Sequence, residues 1–153
     1  MPEINNIWPG ANPMTFRASA ILEAAGAYDP APTEVATANL SSIQFYITYT
    51  RGGAAGAMSM NVEASPYSAD QVGVENWFRY PCTACTPQAG GDASETVQCA
   101  DVIYTATSAN TETFLWPYEP LTLDACVERL RIPCAEVGNV GAPGTTHIVA
   151  CGM

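Results

Sequence analysis

Between residues 42 and 51 apolar and polar side chains alternate, with Ile43, Phe45, Ile47 and Tyr49 interleaved by Gln44, Tyr46, Thr48 and Thr50. A period of two is that of a pleated strand with one face turned to a core. A second alternation, Met58, Met60, Val62 and Ala64 against Ala57, Ser59, Asn61 and Glu63, follows the loop Gly52-Gly53-Ala54-Ala55-Gly56. The two runs are expected to form a hairpin. Further strands are expected from Phe16 to Glu23, Glu75 to Tyr80, Thr96 to Thr107, Glu112 to Tyr118, Ala125 to Val137 and Thr145 to Cys151, which makes eight. Nowhere does a 3.6-residue stripe run for the roughly ten residues a helix needs. The Ala-rich stretch from Ala18 to Ala27 stays open between strand and short helix.

Eight short strands separated by Pro, Gly, Asn and Asp turns predict an all-β fold, a two-sheet β-sandwich of jelly-roll or Greek-key type. It should occupy residues 16–153 as one domain, because no linker or internal repeat divides the chain and 153 residues suffice for one core. Residues 1–15 carry Pro2, Pro9 and Pro13 without sustained periodicity and read as an extended N-terminal arm. Such an arm orders only against a surface, either its own domain or a neighbour, and Ile4, Ile7 and Trp8 are its expected partner-binding anchors.

Composition sharpens the picture. Hydrophobic residues make up 48% of the chain and charged residues 13%, so Thr, Ser, Asn and small residues must finish the surface. That finish suits lasting contact with other protein. Fifteen acids against five cations leave a net charge of -10, which argues against nucleic acid as a partner, since phosphate binding needs clustered cations. The same sign disfavours an anionic membrane surface, and no apolar run approaches the roughly 20 residues of a spanning helix. The start, Met1-Pro2-Glu3-Ile4-Asn5-Asn6, has neither a basic nor an apolar leader region, so synthesis in a cytoplasm is expected.

Six cysteines are many for such a protein. Pro81-Cys82-Thr83-Ala84-Cys85-Thr86-Pro87 reads as a Cys-x-x-Cys knuckle, with Cys99 fourteen residues further on. Three readings stay open: a zinc site on Cys82, Cys85 and Cys99 completed by His147 or another cysteine, a disulfide among these three, or plain thiols. Redox catalysis is not expected, because Pro87, Gly90 and Gly91 oppose the helix that would activate the first thiol. On an alternating reading Cys126, Leu130, Ile132 and Cys134 share a core face, while Cys151 shares a face with Val149 and His147. If the last strand pairs with its predecessor across Gly138 to Gly144, a bond between Cys134 and Cys151 is also open.

No catalytic constellation is expected. His147, the one histidine, reads as a polar strand position without a placed nucleophile or orienting acid. Asp70, Glu75 and Asn76 fit no established calcium loop and read as a solvated turn. Trp77, Phe78, Tyr80, Trp116 and Tyr118 could compose a sugar-stacking platform, although Trp77 and Phe78, being adjacent on a strand, must point to opposite faces. A carbohydrate-binding or host-adhesion module is therefore the alternative reading. No cofactor is implied.

Several segments carry a resemblance: Thr48-Tyr49-Thr50-Arg51-Gly52-Gly53-Ala54-Ala55-Gly56, Val62-Glu63-Ala64-Ser65-Pro66, Asn76-Trp77-Phe78-Arg79, Leu130-Arg131-Ile132 and Ala135 to Gly144. Over residues 40 to 150 the chain resembles the small β-sandwich virion proteins of tailed bacteriophages, among them capsid decoration or cement proteins. The resemblance implies a non-enzymatic homotrimer that binds the major capsid protein on the capsid exterior and stabilises the shell. The six cysteines depart from that pattern.

Overall fold

The computed structural model describes residues 13–23, 27–71, 77–80, 82–86, 94–98, 102–105, 111–124, 126–139 and 141–152, with backbone alone for 82–86, 94–98, 102 and 117–119. Among them every regular element is a strand. In chain order these are β1 (Met14–Ile21), β2 (Val35–Ala36), β3 (Ser42–Thr50), β4 (Ala57–Met60), β5 (Glu63–Ser65), β6 (Phe78–Arg79) and β7 (Cys82–Thr86). There follow β8 (Ser94–Gln98), β9 (Val102–Thr105), β10 (Thr111–Thr122), β11 (Arg129–Arg131), β12 (Cys134–Glu136) and β13 (Thr145–Gly152).

All pairings are antiparallel. One sheet has the order β1-β13-β3-β10, a second β2-β11-β5-β6, a third β12-β4-β9, and β7 and β8 form a two-stranded ribbon. The alternation read in β3 is the alternation found. Ile43, Phe45, Ile47 and Tyr49 are all at most 1% exposed, and they meet Phe16, Trp116 and Ile148 from their own sheet and Met58, Met60, Leu130 and Cys134 from the other two. Phe16 meets Phe45 edge-on at 5.1 Å, and Phe45 stacks on Trp116 at 5.9 Å. Each such side chain contributes roughly 1.5–3 kcal/mol by leaving water.

Several expectations are corrected. The glycine loop 52–56 does not close a hairpin, for β3 pairs with β13 and β10 while β4 pairs with β12 and β9. The reason lies in β4, whose Ala57, Met58, Ser59 and Met60 are all buried. A strand covered on both faces belongs inside another layer, so the loop carries the chain from one sheet to the next. Gly52 permits the crossing, since a Cβ there would lie 2.2 Å from the carbonyl oxygen of Ala142.

The expected strand from Ala125 to Val137 is two strands in two sheets, broken at Pro133, which has no N–H to give a ladder. β13 accordingly pairs with β1 and β3 and not with β12. This parts Cys134 from Cys151, and both are free thiols. Cys126 stands in the turn before β11 and is exposed, so the core face begins at Leu130 and not at Cys126. Residues 18–21 are strand, with no helix at the Ala-rich stretch as far as it is described, and Met14 and Thr15 belong to β1 and not to an arm. Ile4, Ile7 and Trp8 lie outside the described residues.

Candidate interaction surface

The four-stranded sheet has one face in the core and one outside, and the outward positions follow from the period of two. β3 presents Gln44, Tyr46, Thr48 and Thr50, and β13 presents Thr145, His147, Val149 and Cys151. β10 adds Thr111, Thr113 and Leu115. β1 adds Thr15 and, after its irregular register, Ile21. The pairing aligns them in rows across the strands. Thr15, Val149, Tyr46 and Leu115 form one row, His147, Thr48 and Thr113 the next, and Ile21, Thr145, Thr50 and Thr111 a third.

None of these outward side chains is Asp, Glu, Lys or Arg, although the chain has twenty such residues. The centre is apolar, with Tyr46 41% and Leu115 53% exposed, and Ile21 at one corner is 66% exposed. The Thr50 and Thr111 hydroxyls lie 3.0 Å apart and those of Thr48 and Thr113 3.4 Å apart. Cross-strand threonine pairs fit a pleated surface and stabilise it by about 0.2–1 kcal/mol each. At its described positions the face is thus uncharged and its threonines pair with one another, and what it offers is shape-matched contact.

The charges gather elsewhere. Arg17 pairs with Asp29, Arg129 with Glu34 and the Tyr67 carbonyl, and Arg131 with Glu63 at 2.6 Å. The guanidinium groups of Arg129 and Arg131 lie 5.2 and 4.2 Å from the Trp77 ring. These groups brace β11 against β5 and the segments beside it.

One buried acid could be taken for a catalytic group. Glu136, fully buried, accepts hydrogen bonds from the Tyr49 hydroxyl at 2.7 Å and from the N–H groups of Ala57, Gly138, Asn139 and Gly144 at 2.9–3.1 Å. Burial alone would raise its carboxyl, but the backbone donors of Asn139, Gly144 and Ala57 and the Tyr49 hydroxyl overcome burial and hold it below the ordinary value. Burial and then the bond to Glu136 push the Tyr49 hydroxyl well above the ordinary tyrosine value. A carboxylate with five donors and no solvent path is occupied. Its work is to pin the 52–57 and 138–144 loops at one end of the sheet.

The expected site residues fall as follows. Cys82 and Cys85 lie in β7, opposite Gln98 and Glu95, so the backbone is extended where a metal knuckle needs a turn. Cys99 lies outside the described residues, and among the described residues no group of three metal-ligating side chains exists. His147 is on the outward face opposite Thr48, as a polar strand position requires. Asp70 is exposed and accepts from the Ser68 hydroxyl, while Glu75 and Asn76 lie outside the described residues.

Among the described side chains, which do not include that of Tyr118, the aromatic platform does not assemble. Trp116 is buried in the core, the Tyr80 hydroxyl donates to Asp124 and the Thr122 carbonyl, and Trp77 is held by arginines while Phe78 is 58% exposed. The neutral sheet face was not anticipated from the sequence. Its signal was there in Thr48-x-Thr50 and Thr111-x-Thr113 on alternating strands, but the sheet order was needed to put them side by side. No family model, characterised protein or solved structure matches this chain.

Proposed function

We propose that this chain is a virion structural protein that binds the outside of a capsid and stabilises the shell, as decoration or cement proteins do. The observation that carries the reading is the neutral outward face of the four-stranded sheet in a chain of net charge -10. Keeping Asp, Glu, Lys and Arg off the described positions of one face has no value for solubility, and it lowers the desolvation cost of docking.

The strand order supports a jelly roll, the finer form of the all-β fold. Folded about its middle, the chain pairs β1 with β13, β2 with β11, β3 with β10, and β4 and β5 with β9 and β6. Rolling that long antiparallel ribbon brings β13 beside β3 and β11 and β12 beside β5 and β4, which are the neighbours found. Jelly rolls are a recurrent choice for capsid proteins. The inference from fold to role is an analogy.

Size favours assembly. Four strands of 8, 9, 12 and 8 residues, paired over roughly eight, present roughly 500 Å² by standard strand spacings. A stable one-to-one contact uses about 800 Å² per partner, so attachment through this face calls for several copies acting together. A homotrimer on the major capsid protein meets that need, with no enzymatic step involved.

The test is titration of the protein on to expanded tailed-phage capsids that lack their decoration. The expected result is saturable binding that raises the melting temperature of the shell, with a whole-number stoichiometry per symmetry site. Leu115→Asp should abolish binding while leaving the melting temperature of the free protein unchanged. Capsids that neither bind the protein nor gain stability would overturn the reading.

A further inference from the structure

Of the chain's five cations, all of them arginine, four stand away from the neutral sheet face: Arg17, Arg79, Arg129 and Arg131. Two of these four border a cleft of about 190 Å³ between the turn at residues 28–33 and the strands β5, β6 and β11. Its polar lining is Tyr28, Asp29, Asn61, Glu63, Arg79 and Arg131, and its apolar lining is the rings of Pro30, Pro32 and Pro133. At about 30 Å³ per water the cleft holds the equivalent of six waters, which is the size of one pyranose ring.

The chemistry of the lining selects the ligand. Each charged group of the lining faces an opposite charge: Arg131 bonds Glu63 at 2.6 Å, Arg79 stands opposite Glu63 in the β5–β6 register, and Asp29 is bound by Arg17, so three guanidinium groups share two carboxylates. An anion entering would compete with Glu63 or Asp29 for a guanidinium group inside a molecule already at -10. A cation would meet the arginines.

A hydroxyl group both donates and accepts, whereas guanidinium only donates and carboxylate only accepts. Neighbouring hydroxyls on one ring can therefore bridge an Arg–Glu pair without changing the net charge. Asn61, 3% exposed, adds an amide held in place by burial. The proline rings offer the apolar surface that the C–H face of a sugar needs, and a small concave site with few convergent polar groups is how such ligands are held.

We infer that this cleft binds a neutral monosaccharide unit, with Arg79, Arg131, Asp29, Glu63 and Asn61 as partners of its hydroxyls. The inference stands apart from capsid attachment, because it uses none of the residues of the sheet face. On a particle surface the site would read host glycans, one unit per copy, with avidity from the copies.

The experiment is an amide-shift titration of the ¹⁵N-labelled full chain with the methyl glycosides of glucose, galactose, mannose and N-acetylglucosamine, and separately with sodium phosphate and sodium acetate. At least one glycoside should move the amides of Tyr28, Asp29, Ala31, Thr33, residues 61–63, Arg79 and Arg131 and saturate with a millimolar Kd, the range expected of so small a contact. Arg79→Ala should weaken that binding tenfold or more, and Leu115→Asp should leave it unchanged. The variant spectra report folding directly, and Arg79→Gln decides if Arg79→Ala loses dispersion. The inference is overturned if no glycoside moves these amides by about 0.1 M, some hundredfold above a millimolar Kd. It is equally overturned if phosphate or acetate saturates the same amides more tightly, or if the folded Arg79 variant binds like the parent.

Discussion

Glu136 shows how far one side chain can decide the shape of a molecule that has few charges to spend. Its carboxylate gathers a tyrosine hydroxyl and four backbone N–H groups from two loops, and each charge-assisted bond of this kind is worth about 1.5–3 kcal/mol. Glu136→Gln puts an amide N–H against donors that need an acceptor, so a loss of about 3 kcal/mol is expected at neutral pH. Tyr49→Phe removes one donor and should cost about 2 kcal/mol.

Because the folded-state pKa of Glu136 is depressed, its contribution is complete above the ordinary value of 4.5 and is lost as pH falls through the lower folded value. Chemical denaturation across that range should therefore show parent and Glu136→Gln converging toward acid. A gap that stays constant would mean the carboxylate is not the source. The cysteines divide in the same way: burial pushes the Cys134 thiol up to about 12, whereas Cys126 is exposed. Iodoacetamide at pH about 8, near the ordinary thiol pKa, should alkylate Cys126 in the native protein and spare Cys134 until unfolding, as read by peptide mass.

At the scale of elements the loops that cross between sheets are more constrained than the strands. A Cβ on Gly138 would lie 2.0 Å from the carbonyl oxygen of Ala55 and 2.5 Å from the amide nitrogen of Ala57, and backbone atoms cannot yield as a side-chain tip can. Gly138→Ala should cost about 2–3 kcal/mol, at the upper end for overpacking, while a substitution at Gly141, whose nearest neighbour is 3.8 Å away, should cost little. Similar unfolding midpoints for the two would refute the close packing of these loops.

Strands were legible where one face was wet, as in β3 and β13, because alternation then survives in the sequence. They were misjudged where both faces are covered. In β4 the buried Ser59, which meets the Tyr28 hydroxyl at 2.8 Å, reads as an outward polar residue. Both expected hairpins failed for one reason: sequence neighbours here join different sheets, and the pairing that decides the fold is between strands far apart in the chain. The Cys-x-x-Cys segment is extended and not turned, because the spacing suits both a turn and a strand and β8 supplies the partner that makes it a strand.

At the scale of the whole molecule, charge is sorted by side. The arginine pairs brace the sheet of β2, β11, β5 and β6, and the outward face of β1, β13, β3 and β10 has no Asp, Glu, Lys or Arg among its described positions. This separation has a consequence for any partner that docks on the neutral face. Contacts between exposed charges weaken as the screening length shrinks from about 10 Å at 0.1 M salt to about 3 Å at 1 M, and apolar contacts do not. Under the proposed role, attachment to a capsid should therefore change less than twofold between about 0.1 and about 1 M sodium chloride. It should strengthen in sulfate, which favours burial of apolar surface, and show a negative heat-capacity change in calorimetry. The opposite behaviour, an affinity that falls steeply with sodium chloride, would place the contact on the charged flank around Arg79 and Arg131. In that event Leu115→Asp would leave attachment intact and Arg79→Ala would reduce it, so one salt series and two variants assign the docking face.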